Sequence, residues 1–316
     1  MEWKERLLLI RLEEEMMDIL SVKGLKKDFG KNQILKGIDF QVGEKEIIGF
    51  LGANGSGKST TIKCICGLYH MTEGEIAICG YDIVKERIGA MSQLGASIEA
   101  PALYPQLTGQ DHLRMMGRWR GVDMKRVKEM EEYTGIGHYL KKKTGTYSMG
   151  MKMRLMLAMT LMAKPKLVIL DEPTNGLDPQ AVFELREEME RIRRDGSSIL
   201  FSSHQLDEVE KLSDRVVILN HGEMIYDGKL PKELSGVEYR IQLEPEHQIE
   251  SVGALQHIRI EQCEEVEGTK EWIRFRVHEQ EELGKALAVI TEIGNIYDVV
   301  KCEMNLEEFY KKIYAR

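Results

Sequence analysis

The sequence predicts an α/β protein with a parallel core sheet, an antiparallel β subdomain, a helical subdomain and a small α+β appendage at the C-terminal end. Three observations predict it. Continuous apolar runs within 46–51, 166–173 and 197–203 read as buried strands, and a helical pattern at 180–194 lies between the last two, the β-α-β alternation of a parallel sheet. Residues 18–42 alternate apolar and polar in short runs, as antiparallel strands do. Composition shifts after Leu234: residues 236–316 hold 17 acidic against 10 basic side chains, so nearly all of the net charge of −8 falls there.

The elements follow in chain order. Residues 1–17, MEWKERLLLIRLEEEMM, form an N-terminal extension with only four consecutive apolar residues before Arg11. It reads as a short amphipathic helix, or as sequence upstream of an alternative start at Met16 or Met17, and not as a signal peptide or anchor. "EIIGFL" ends in a glycine turn, and "KSTTIKCICGL" is a helix closed by Gly67. The helical subdomain spans about 106–163 and is rich in Met and Leu, which read as adaptable packing. "RVVILNHGEMIYDGKL" at 215–230 is strand, turn at Asn220–Gly222, and strand. The main domain is therefore 18–234. The accessory domain is 235–316, where "VEYRIQL" and "WIRFRV" alternate like half-exposed strands and "LEEFYKKIYAR" is a terminal helix.

Bulk composition narrows the function classes. Of 316 residues 42% are hydrophobic and 30% charged, enough for a core in a water-exposed protein. The acidic balance speaks against nucleic acid as a partner. No apolar run approaches the roughly 18 residues needed to cross a bilayer. Five cysteines match no zinc or disulfide framework, so reduced thiols are expected. Cys64 and Cys66 diverge on their helix and cannot form a redox pair.

The chemistry-bearing residues are clustered in sequence. Gly52-Ala53-Asn54-Gly55-Ser56-Gly57-Lys58-Ser59 matches G-x-x-x-x-G-K-[ST] between a strand and a helix, the context that gives the motif its meaning. Its glycines let backbone N–H groups turn toward phosphate oxygens, and the helix N-terminus adds partial positive charge. Lys58 reaches the terminal phosphates and Ser59 helps hold Mg²⁺. Asp171 and Glu172 end an apolar strand. Neighbours on a strand point to opposite sides, so Asp171 can support the metal while Glu172 polarises an attacking water. Ser202-Ser203-His204 ends the next strand, at the ligand edge of an open α/β sheet.

With "GANGSGKST", "LVILDEP", "GLDP" and "SSH" in this order, residues 18–234 resemble the ATPase subunit of ATP-binding cassette (ABC) transporters, a P-loop NTPase of ABC ATPase fold. The resemblance implies ATP and Mg²⁺, and a head-to-tail pair in which ATP lies between the P-loop of one copy and the signature loop of the other. It implies Glu172 as catalytic base, His204 as γ-phosphate switch, and Asp178 in the loop crossing to the partner. Gly52, Asn54, Gly55, Ser56, Gly57, Lys58, Ser59 and Thr60 are the implied phosphate contacts. Phe29, 23 residues before Gly52, stands where the family has an adenine-stacking aromatic, usually Tyr; stacking needs only the ring face.

Two departures stand out. The family signature Leu-Ser-Gly-Gly-Gln is here Tyr147-Ser148-Met149-Gly150-Met151, which keeps the Ser148 and Gly150 positions of the trans ATP contact, with Met149 between them. In "SIEAPALYPQLT" the family's metal-touching Gln is replaced by Glu99, two residues before Pro101, with Gln93 as a rival. A carboxylate can make the same oxygen contact to Mg²⁺. Glu99 is thus expected to face the reaction centre and make metal occupancy a stronger condition for closure.

The variant signature, "SIEAPALYPQLTG" and the acidic extension resemble the branch of bacitracin-resistance and lantibiotic-immunity exporters. That branch implies a bacterial subunit in the cytoplasm, peripheral on the inner membrane face, serving a separate integral membrane permease that clears a peptide antibiotic. The alternative is an ABC ATPase of translation or DNA maintenance. Two cassettes in one chain or long heptad arms would mark it, and only about 110 residues separate the P-loop from Asp171. No N-K-x-D motif supports a GTPase. For residues 236–316, partner binding, dimer support and a plain structural role all remain open.

Overall fold

The computed structural model describes residues 18–99, 103–230, 237–244, 247–257, 260, 264–265, 272–277, 280–302 and 306–314. The N-terminal extension and Pro101 lie outside them. The chain divides into two compact units, one up to Gly228 and one from Lys229.

The first unit opens with β1 (Leu20–Phe29) and β2 (Asn32–Val42), an antiparallel hairpin. These strands run 10 and 11 residues, longer than the alternation alone indicates. Register shifts between Val22 and Leu25 absorb the break in the pattern. Next come β3 (Ile47–Gly52), α1 (Lys58–Ile65), β4 (Glu73–Ile78) and β5 (Tyr81–Asp82). The first sheet has the order β2-β1-β4-β5. Its inner face packs on the second sheet, with the Phe40 and Phe50 rings 5.5 Å apart.

Then follow α2 (Arg87–Ser92), β6 (Leu94–Ser97), and the helical subdomain α3 (Gly109–Arg120), α4 (Met124–Tyr133) and α5 (Met149–Thr160). The unit closes with β7 (Leu167–Asp171), α6 (Pro179–Arg194), β8 (Ser198–Ser203), α7 (Leu206–Leu212), β9 (Arg215–Asn220) and β10 (Glu223–Lys229). The second sheet has the order β10-β9-β3-β8-β7-β6, with β9, β3, β8, β7 and β6 parallel. Every residue of β3, β7 and β8 is buried, which is why those strands read as unbroken apolar runs. The register pairs Leu51 with Ser203 and Asp171 with Ser202. Three strands therefore end level, and the loops leaving them share one edge.

The segment entering the helical subdomain is pinned from two sides. His112 is fully buried. Its Nε2 accepts the Tyr104 N–H at 2.9 Å, so its Nδ1–H donates to the Thr108 carbonyl at 2.8 Å and the ring is neutral. The Thr144 hydroxyl donates to the Tyr104 carbonyl at 2.9 Å.

The second unit comprises β11 (Val237–Leu243), α8 (Gln248–His257), β12 (Glu264–Glu265), β13 (Trp272–Val277), α9 (Gln280–Ile293), β14 (Ile296–Cys302) and α10 (Leu306–Tyr314). Its antiparallel sheet has the order β12-β13-β11-β14. Ile241, Leu243, Ile273, Phe275 and Ile290 centre its own core. No helix among the described residues is long and apolar enough to cross a membrane.

Candidate active site

The glycine-rich turn after β3 is held by its own backbone and its neighbours. Ser56 N–H donates to the Ala53 carbonyl at 3.0 Å, and Gly222 N–H to the Ser56 carbonyl at 3.0 Å. Two glycines are sterically required. A Cβ on Gly52, at φ 157°, would lie 2.3 Å from Ser56 Oγ. One on Gly222, at φ 79°, would lie 2.0 Å from the Ile34 carbonyl oxygen. Lys58 is buried beneath the turn, its Nζ donating to the Gly52 carbonyl at 2.6 Å. Burial pulls the ammonium below the ordinary lysine range, and Glu172 and Asp171 pull it back up. Asn54, Gly55 and Ser59 are exposed and Thr60 is half-buried at the start of α1.

Asp171 and Glu172 are not separated by strand pleat, as their spacing predicts. Strand β7 ends at Asp171. Glu172 already lies off the strand at φ 51°, in the left-handed region, an uncommon conformation for a non-glycine residue. One hydroxyl organises both: Ser202 Oγ donates to Asp171 Oδ1 at 2.6 Å and accepts the Glu172 N–H at 2.9 Å. Glu172 Oε2 lies 2.7 Å from His204 Nδ1. An ionised carboxylate only accepts, so Nδ1 carries the proton of this contact.

A second group gathers elsewhere in the unit. Ser148 caps α5 by accepting the Met151 N–H at 3.2 Å, and Asp178 caps α6 by accepting the Ala181 N–H at 2.8 Å. Ser148, Met149, Gly150, Gly176 and Asp178 line one open cleft, and no residue of 52–60 does. Tyr147, in place of the family's Leu, is buried with its hydroxyl donating to the Tyr139 carbonyl at 2.6 Å. A phenol fits this position because its oxygen has an acceptor.

Phe29 and Glu99 each have partners that their motifs do not signal. The Phe29 ring meets Tyr69 edge-on at 5.3 Å, and Lys27 Nζ sits 4.6 Å over its face. One face is therefore backed by a cation, and the ring is 45% exposed. Glu99, at φ 63°, is exposed and paired with Lys63 Nζ at 2.8 Å. The hydrogen bond from Lys63 holds its carboxyl below the usual carboxylate range. Gln93, the rival, caps the end of α2, and its side-chain amide bonds Ser92 at 3.2 Å.

A triphosphate fits these residues. The turn offers backbone N–H groups and a buried cation, α1 has no acidic residue in its first turn, and the buried Ser56 Oγ and Thr174 Oγ1 have no protein partner. Such donors beside a carboxylate–histidine pair, on one edge of a parallel sheet, define a P-loop nucleotide hydrolase. Residues 35–175 match the ABC transporter family model, and residues 144–210 also match an AAA domain model. The chain is 41% identical over 214 residues to the linearmycin resistance ATP-binding protein LnrL of Bacillus subtilis (strain 168), covering 66% of this chain and 69% of that one. It is 36% identical to the lantibiotic transport ATP-binding protein SrtF of Streptococcus pyogenes, covering 70% of this chain and 93% of that one. Among solved structures, an ATP-binding subunit of an ABC transporter superposes with a TM-score of 0.63 at 33% identity, covering 67% of this chain and 90% of that one. CbiO1 of Clostridium perfringens, part of the ABC transporter complex cbiONQ, gives 0.62 at 30% identity, covering 69% and 90%. This chain belongs to the ABC transporter ATP-binding family, and it is an ATP-hydrolysing subunit of that family.

The role of Ser202 is not legible in the Ser-Ser-His run, where it stands two residues before His204, and neither are the roles of Lys63 and Tyr69. Nothing in the sequence signalled the last two, because each acts through a neighbour distant along the chain.

Proposed function

We propose that two copies of this chain, at the inner membrane face, close head to tail on two ATP molecules and that this motion drives a separate membrane permease that clears a peptide antibiotic from the cell surface. One observation carries the reading. Within one copy the P-loop residues and the Ser148–Asp178 cleft are separate groups, each open to a partner. The lantibiotic and bacitracin relatives support the substrate class.

In the closed pair, Lys58 and the backbone of 52–60 hold the phosphates of one copy. Glu172 accepts a proton from the attacking water as its oxygen bonds to the γ-phosphorus and the β–γ bridge breaks toward ADP. His204, its Nδ1–H donated to Glu172, holds that carboxylate in line. Ser148 and Gly150 of the other copy complete the phosphate shell, with Met149 between them, and Phe29 stacks on adenine. Mg²⁺ supplies positive charge to the phosphates, and Ser59, Asp171 and Glu99 are the oxygen donors this chain offers it. Domains 18–234 and 235–316 then serve as motor and accessory unit, with no nucleic acid as partner.

Disulfide crosslinking tests the pair. Asn54→Cys and Ser148→Cys should join two molecules only when ATP is supplied. Burial pushes Cys64 up to about 11 and Cys66 up to about 12 and raises Cys79, and the crosslinking background carries Cys263→Ser and Cys302→Ser. An ATP-independent or exclusively intramolecular product sinks the arrangement.

Glu99 supplies a separate test. Reaching a metal requires it to leave Lys63, so Glu99→Gln should raise the Mg²⁺ concentration for half-maximal turnover by about threefold, the loss of one anionic oxygen donor. Superimposable Mg²⁺ titrations of variant and parent would remove Glu99 from the metal site.

A further inference from the structure

In the hairpin of α3 and α4 the basic side chains crowd toward the connecting turn. Residues 112–128 hold six basic side chains and a single acidic one, Asp123, in a chain of net charge −8. Asp123 is committed to capping α4, accepting the Arg126 N–H at 2.8 Å. Two of the cations are tied to backbone carbonyls. Arg120 donates to the Met91 and Leu94 carbonyls, both at 3.2 Å. Arg126 donates to the Met162 carbonyl at 3.0 Å and the Leu161 carbonyl at 2.8 Å. Arg118, Lys125 and Lys128 are exposed and enter no ion pair among the described residues.

The same tip exposes apolar bulk. Trp119 is 67% exposed and Met124 55%. The two helices are held close by Gly117, where a Cβ would lie 2.5 Å from a Val127 methyl, and Gln110 of α3 bonds Glu131 of α4 at 3.3 Å. Gly121 ends α3 in the left-handed conformation at φ 66°, and only residues 121–123 separate the two helices, so Arg118, Trp119, Met124 and Lys125 flank one short turn.

An exposed indole and thioether flanking a turn leave apolar surface in water. Such a turn is well matched to a bilayer surface, where the ring settles at headgroup depth and the cations meet lipid phosphates. A nucleic-acid backbone would engage the cations alone, whereas a bilayer surface also takes up the exposed Trp119 and Met124. We propose that the α3–α4 tip is a contact site for anionic phospholipid headgroups, which holds the subunit against the membrane surface independently of any protein partner. The inference rests on the reading of this chain as the motor of a membrane permease.

The test uses the full chain without permease and vesicles of phosphatidylcholine, with or without about 30% phosphatidylglycerol. Flotation should recover the chain with the anionic vesicles, and recovery should fall as salt is raised. The triple variant Arg118→Gln/Lys125→Gln/Lys128→Gln should bind at least about 10-fold more weakly, since each surface cation contributes severalfold. Anionic vesicles should blue-shift the tryptophan emission, and Trp119→Phe should abolish the shift. Equal recovery on neutral vesicles, no recovery at all, or undiminished binding by the triple variant each overturns the proposal. So does a triple variant whose sole defect is loss of permease association, which would assign the tip to an acidic protein surface. ATP turnover in the same preparations keeps the two readings apart: normal turnover without vesicle binding ends this inference and leaves the motor intact.

Discussion

Glu172→Gln will slow ATP turnover by at least about 100-fold while leaving nucleotide affinity within about threefold of the parent. The amide keeps the size of the carboxylate and loses its basicity. The backbone anchor, Glu172 N–H to Ser202 Oγ at 2.9 Å, is untouched, so the loop keeps its place. The 2.7 Å contact with His204 survives only as a neutral hydrogen bond. ATP should still be held and not consumed, and the closed pair should accumulate on size-exclusion chromatography. Single-turnover kinetics separates the possibilities. A variant that hydrolyses at the parent's rate would deny Glu172 the role of base, and one that loses ATP affinity instead would make it a binding residue.

Lys58→Ala acts on the earlier step. Its ammonium is the buried cation at the P-loop, and the Glu172 and Asp171 charges reach it. Removing it leaves those two carboxylates facing the incoming phosphates without compensation. A charge-assisted contact is lost and a repulsion is gained, so fluorescent-ATP titration should show affinity falling by roughly 30-fold or more. Equal affinity in variant and parent would take Lys58 out of the phosphate site.

Much of the first unit was legible because its signals are local. A parallel sheet covered on both faces must be built from unbroken apolar strands, so β3, β7 and β8 announced themselves. The P-loop was legible because few sequences besides a phosphate cradle need glycines at 52, 55 and 57 followed by Lys58. What escaped depends on partners distant along the chain. Ser202 and Asp171 are 31 residues apart, and Lys63 and Glu99 are 36 apart. Adjacency in sequence also misled, since Asp171 and Glu172 are parted by a left-handed backbone turn and not by pleat. In the second unit, β14 escaped because its side chains from Tyr297 to Lys301 are exposed on both faces, which erases the alternation a half-buried strand would show.

The bonds around Gly222 carry one further consequence. Its N–H goes to the Ser56 carbonyl and its own carbonyl takes the Lys36 N–H at 2.9 Å, stitching the cradle to the β9–β10 bend and to β2. Such a mould is cast when the chain folds. A nucleotide arriving there finds its mount already rigid, and the ordering entropy that a floppy receptor would lose on capture has been surrendered beforehand.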